Sequence, residues 1–98
     1  MEKITIDLSS VESRSDIHDI LISAFELPED YGRNLDALYD CLSTKYIGEV
    51  IKVETLGFET LPEKLENYGK LILSIFSRVS DEMARIPDNS VFDVHRIS

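Results

Sequence analysis

What the chain lacks is the first guide to it. No stretch comes near the roughly 20 consecutive apolar residues that a membrane helix requires, which argues against a transmembrane protein. The first ten residues, MEKITIDLSS, carry no charged-then-apolar signal pattern. Cysteine occurs once, at Cys41. A lone thiol cannot close an internal disulfide and needs no oxidising compartment, so a cytoplasmic protein is expected. Proline (3) and glycine (4) are sparse and 43% of residues are hydrophobic, so the sequence does not read as disordered. There is no glycine-rich phosphate loop, no Cys/His metal spacing, no repeat and no linker, and no cofactor is expected.

Basic residues are also scarce. Ten Lys and Arg face nineteen Asp and Glu, a formal net charge of −9. That balance disfavours nucleic acid, whose binding depends on neutralising phosphates. It suits a basic partner, drawn in by long-range steering, although acidity also serves plain solubility.

What is present reads as one α/β domain over residues 1–98. Period-two alternation predicts strands over Lys3–Leu8, Glu49–Thr55 and Val91–Ile97. Ser13 or Ser15 is placed to cap a helix carrying Ile17, Ile20, Leu21, Ala24 and Phe25, stopped by Pro28. A second helix follows the loop LPEDYG. Next come a short helix, PEKLENY, ended by Gly69, and a longer one from Lys70 to Met83, ended by Pro87 before a turn, PDNS. The order β-α-α-β-α-α-β predicts a three-stranded parallel sheet packed against helices. Leu35, Leu38, Leu42, Ile72, Ile75, Phe76 and Val79 form apolar stripes and are expected to be buried.

The stretch YGRNLDALYDCLS, residues 31–43, stands out. Asp36, Tyr39, Asp40 and Ser43 share one helix face. Asp36, in the first turn, complements the helix dipole, whereas Asp40 is read as lying toward the C-terminal end, where an anion is disfavoured. It also repels Asp36 at i,i+4 spacing, at a cost of roughly 0.2–0.5 kcal/mol. Such a charge suggests selection for a partner, although paired aspartates on a solvated face are common. Tyr39 adds a residue type enriched in interface hot spots.

Other chemistry is weakly supported. His18 and His95 lie far apart, so paired acid–base catalysis has little behind it. Cys41 reads as a structural thiol, with no adjacent Lys or His to activate it. Asp36 and Asp40 alone make a poor cage for Mg²⁺ or Ca²⁺. No enzymatic activity is expected.

The segment LPEDYGRNLDALYDCLS resembles the signature of the barstar family of ribonuclease inhibitors. It matches at Leu27, Pro28, Tyr31, Gly32, Asn34, Leu35, Asp36, Ala37, Leu38, Asp40, Cys41 and Leu42. The preceding SRSDIHDILISAFEL resembles the family's first helix, and the C-terminal half agrees in pattern. The resemblance implies a cytoplasmic, monomeric bacterial inhibitor that plugs the active site of a basic ribonuclease or nuclease toxin, as an immunity protein or antitoxin does. It implies that Asp40 enters the enzyme's phosphate site, supported by Asp36, with Tyr31, Gly32 and Asn34 forming the contacting loop. Tyr39 stands where the family has Trp, Ser43 where it has Thr, and Asp30 replaces a tyrosine. Lys45 takes the place of an aromatic, and Arg78 that of an acidic contact residue. The alternative is a barstar-fold interaction or regulatory domain that no longer binds a nuclease.

Overall fold

In a computed structural model, which describes residues 2–85 and 90–97, the chain runs β1 (Glu2–Asp7), α1 (Arg14–Phe25), α2 (Leu35–Lys45), β2 (Val50–Leu56), α3 (Glu63–Ala84) and β3 (Val91–Arg96). The three strands pair in parallel in the order β1-β2-β3. Ile4 lies beside Val53, and Val53 beside Val94. The alternation read in the sequence is what makes this sheet two-faced. Ile4, Ile6, Ile51, Val53 and Phe92 are buried, while Lys3, Thr5, Asp7, Asp93 and His95 face solvent. A parallel sheet is usually covered on both faces. Here the open face is mostly polar, with Lys3 Nζ 3.3 Å from Glu54 Oε1, and exposed Val50 and Val91 lie side by side at one end.

The order of elements differs from expectation at one place. The two helices predicted on either side of Gly69 are a single 22-residue helix, α3. Gly69 does not break it. A side chain there would meet Leu61 Cδ1 at 2.4 Å, so the glycine lets the helix lie flat on the loop before it. Close approach, not termination, accounts for the residue. The turn predicted over PDNS and the stop at Pro87 lie outside the described residues.

Most of the predicted stripes are buried: Leu38, Leu42, Ile72, Phe76 and Val79 have essentially no exposure. Leu35 and Ile75 are only half-buried. Leu35 opens α2 and borders a groove with Arg14 and Arg33, and Ile75 lies on the flank of its stripe. Phe25 joins the layers, with ring centroids 5.8 Å from Phe76, 6.3 Å from Phe92 and 6.1 Å from Tyr46.

Helices α1 and α2, before and within the signature segment, have built ends. Ser13 Oγ accepts from the Asp16 N–H at 3.1 Å, and the Asp16 carboxylate accepts from the Glu12 N–H at 2.9 Å. Glu26, in the left-handed region at φ 52°, closes α1 by donating its N–H to the Ile22 carbonyl, before Pro28 is reached. Asn34 caps α2, its Oδ1 accepting from the Ala37 N–H at 2.8 Å. Among the described residues, no helix is long and apolar enough to cross a membrane.

Candidate functional site

The loop into α2 is held from beneath and from the side. Beneath it lies His18, 2% exposed, between two tyrosines. Its Nδ1 is 2.8 Å from Tyr31 Oη and its Nε2 is 2.6 Å from Tyr68 Oη. Burial, then the Arg33 guanidinium, holds the imidazole below its usual pKa, so it is neutral near pH 7. A neutral ring donates once and accepts once. The Tyr31 hydroxyl also reaches the Asn34 carbonyl, at 3.5 Å. The consistent assignment has Tyr68 donating to Nε2, Nδ1 donating to Tyr31, and Tyr31 donating weakly to Asn34. A line of polar contacts thus runs from α3 through α1 to the cap of α2. Burial pushes the Tyr31 hydroxyl pKa far up and raises that of Tyr68, so both stay protonated.

From the side, Arg33 anchors the loop. It sits in the left-handed region at φ 52°. One of its guanidinium nitrogens (Nη2) donates to the Ser15 carbonyl at 2.9 Å, to Ser15 Oγ at 3.0 Å and to Asp19 Oδ1 at 2.9 Å. Asn34 Nδ2 donates to the Gly32 carbonyl at 3.1 Å, so both ends of its side chain are engaged internally.

On this support α2 presents its outer face. Asp36 and Asp40 are exposed one turn apart, with Ser43 half-buried beyond them. Asp30, Gly32, Asp40, Cys41 and Thr44 border an open groove of about 400 Å³. Asn34 and Asp36 border another, of about 630 Å³, with Arg14 and Arg33 across it. On the far shoulder, the Tyr39 hydroxyl donates to Glu82, and the Arg78 guanidinium carbon lies 4.4 Å from the Tyr39 ring centroid. Arg78 Nε is also 3.8 Å from Glu82 Oε1. Lys45 turns the other way, 5.7 Å from the Tyr46 ring centroid.

Two details of the sequence reading are corrected. Asp40 is the sixth of eleven residues in α2, not near its end, so the dipole hardly opposes it. Its oddity is that neither Asp30, Asp36 nor Asp40 has a cation within ion-pair distance among the described residues. Tyr31, expected in the contacting loop, turns its ring into the core at 7% exposure, leaving only its backbone for a partner. The anchors Arg33, Tyr68 and Glu82 escaped the sequence reading. Glu82 alone left a signal there, its i,i+4 spacing from Arg78.

Nucleophilic chemistry finds no support. Burial, then Asp30 and Asp40, raises the Cys41 thiol pKa, which disfavours the thiolate. His95 hydrogen-bonds Asp93 at 2.7 Å on the open sheet face, with His18 inside the core.

Residues 1–94 match the family model described as Barstar (barnase inhibitor). The chain belongs to the barstar family. Members of that family are inhibitors, not enzymes. The chain is also similar to a protein of Bacillus subtilis (strain 168) named "Putative ribonuclease inhibitor YrdF", with 34% identity over 83 residues, 85% of this chain and 90% of the relative. The three-stranded parallel sheet with its helices is the barstar architecture, and the acidic face of α2 lies on the segment that carries the family signature.

Proposed function

We propose that this barstar-family protein inhibits a barnase-type ribonuclease, or a nuclease toxin with a similar site, by seating the outer face of α2 over the enzyme's active site. The observation that carries the reading is the set of exposed carboxylates at Asp36 and Asp40, on a capped and anchored helix, and at Asp30 in the loop before it, none with an ion-pair partner among the described residues. A ribonuclease active site gathers Arg, Lys and His around a phosphate. A carboxylate on a rigid helix replaces that phosphate, and its charge-assisted hydrogen bonds are strong once water is excluded.

In this reading Asp40 enters the phosphate site and Asp36 supports it from the preceding turn. Asp30 and the backbone of Tyr31 and Gly32 meet the enzyme along the groove edge. Asn34 acts chiefly by fixing the start of the helix. Tyr39 and Ser43 close the opposite side. Arg78, stacked on Tyr39 and paired with Glu82, puts a guanidinium on that side, which a neutral or acidic group of the cognate enzyme would accommodate. The biological role that follows is immunity: protection of the producing cell from its own nuclease.

The same Arg78 is the feature that favours the second reading, an interaction domain without a nuclease partner. One experiment separates the two. The purified protein is used as bait in extracts of the source cells, captured proteins are assayed for RNA cleavage, and barnase is assayed in parallel. Stoichiometric loss of ribonuclease activity supports the inhibitor. Capture of only non-nucleolytic partners, with barnase unaffected, overturns it.

A further inference from the structure

We infer that Arg33 is a positioning residue for inhibition: its side chain, locked onto α1, sets the direction in which α2 and its carboxylates leave the loop. The inference rests on the proposed reading of α2 as the inhibitory face. The residues that match the family signature lie on either side of Arg33, at Gly32 and Asn34, so the resemblance gives Arg33 itself no part. Its place in the chain does. Arg33 directly precedes Asn34, the cap of α2, so its backbone fixes the angle at which the chain enters the helix. At many helices an apolar residue at this position sets that angle by packing on the first turn. Here the residue is exposed and its φ is 52°, a region that glycine adopts freely and other residues adopt at a cost.

What holds it there is one nitrogen. Nη2 lies 2.9 Å from the Ser15 carbonyl, 3.0 Å from Ser15 Oγ and 2.9 Å from Asp19 Oδ1, all on α1. It has two N–H groups for three acceptors, so one proton is shared. An exposed Arg–Asp pair is worth little by itself. Directional bonds to a helix carbonyl and to two side chains one turn apart do more, because they fix the guanidinium against a rigid element. Asn34 completes the arrangement, with one end of its side chain on the Gly32 carbonyl and the other on the Ala37 N–H. Gly32 and Asp36, both placed in the proposed interface, thus lie within three residues of the lock.

The lock is separable from the fold. Beneath the loop, Tyr31 is tied to His18 in the core, and that support is buried. Arg33, Ser15 and Asp19 are all exposed, so releasing the lock leaves no buried group unpaired. Charge argues against Arg33 acting by attraction. It is a cation beside a face offered to a basic enzyme, and by steering alone its removal would speed association. A positioning role predicts the opposite sign. Binding weakens, because the competent arrangement of the loop is then populated only part of the time.

The test uses two variants of the full chain. R33G keeps the left-handed conformation accessible and removes the anchor. S15A/D19A leaves Arg33 in place and removes two of its acceptors. They change the net charge in opposite directions, so a shared effect is not electrostatic. Affinity for the captured ribonuclease is measured beside thermal unfolding and backbone NMR order parameters of the free protein. Each variant is expected to weaken binding about tenfold, as a loop that is competent about one-tenth of the time requires. Order parameters of residues 32–34 are expected to fall from about 0.85 to below about 0.6 while those of β2 hold, with an unfolding midpoint within about 4 °C of the parent. Combining all three substitutions adds little to R33G, since both variants release one lock. An R33G protein that binds as tightly as the parent, or more tightly, overturns the proposal, as do unchanged order parameters. So does weakening by R33G with none by S15A/D19A, which makes Arg33 a direct contact, or a midpoint lowered by about 10 °C or more in both variants, which makes it merely structural. A parent that binds no ribonuclease overturns the functional reading instead, and the order parameters still decide whether Arg33 holds the loop.

Discussion

At the scale of single residues, His18 shows how a buried polar group can hold a loop, here the one that leads into α2. Its imidazole is satisfied on both nitrogens by Tyr31 and Tyr68, and the line of contacts ends at Asn34, the cap of α2. Replacing His18 with Ala strands two buried hydroxyls and opens a void. We expect a loss of about 2–4 kcal/mol in urea unfolding, the scale for leaving two buried groups unpaired. The pH dependence has a definite sign. The folded-state pKa is depressed from its ordinary 6.5. The unfolded chain therefore binds the proton more readily. The contribution of neutral His18 is complete above about pH 6.5 and falls away as pH drops below it, at up to about 1.4 kcal/mol per pH unit. Unfolding free energies between pH 7.5 and 5.5 are expected to fall for the parent, and to fall less for His18→Phe, as about one titrating group requires.

At the scale of elements, the strands were legible because one sheet face is dry and the other wet, which writes a period of two into the sequence. The helices were legible from their stripes and, for α1, from its cap at Ser13. The failures have physical causes. Gly69 was read as a helix end because glycine usually disfavours helix interiors, and nothing local reveals that Leu61 will lie 2.4 Å from where its side chain would be. Gly69→Ala separates the two readings. A solvent-exposed helical glycine gains about 1 kcal/mol on becoming alanine, whereas this one is expected to lose about 1–3 kcal/mol because Leu61 must move. Thermal unfolding of that single variant decides the sign. The acidic face was legible from spacing, but its mounting was not. Arg33 reaches back across the chain to Ser15 and Asp19, and Tyr39 reaches forward to Glu82. Such contacts exist only once the elements have packed.

At the scale of the whole molecule, the proposed function gives the charge of −9 a role, together with the α2 carboxylates that have no ion-pair partner among the described residues: drawing in a basic target before contact. Association with a basic ribonuclease is expected to slow steeply as ionic strength rises, with dissociation less affected, because steering is screened over about 8–10 Å at physiological salt while a desolvated contact is not. Stopped-flow association rates at low and high salt measure this, and a rate independent of salt removes steering from the account. The central claim, however, is that the carboxylate of Asp40 is the anion the enzyme's phosphate site receives. The direct measurement is the affinity of the parent and of Asp40→Ala for the captured ribonuclease, with thermal unfolding of both in parallel. Asp40 makes no ion pair among the described residues and sits one turn from Asp36, so stability is expected to stay within about 0.5 kcal/mol or to rise slightly. Binding is expected to weaken by about 2–5 kcal/mol, the range for truncating one member of a buried charge pair, for which barnase–barstar is itself a reference case. An Asp40→Ala protein that folds like the parent and binds the ribonuclease as tightly would contradict the account.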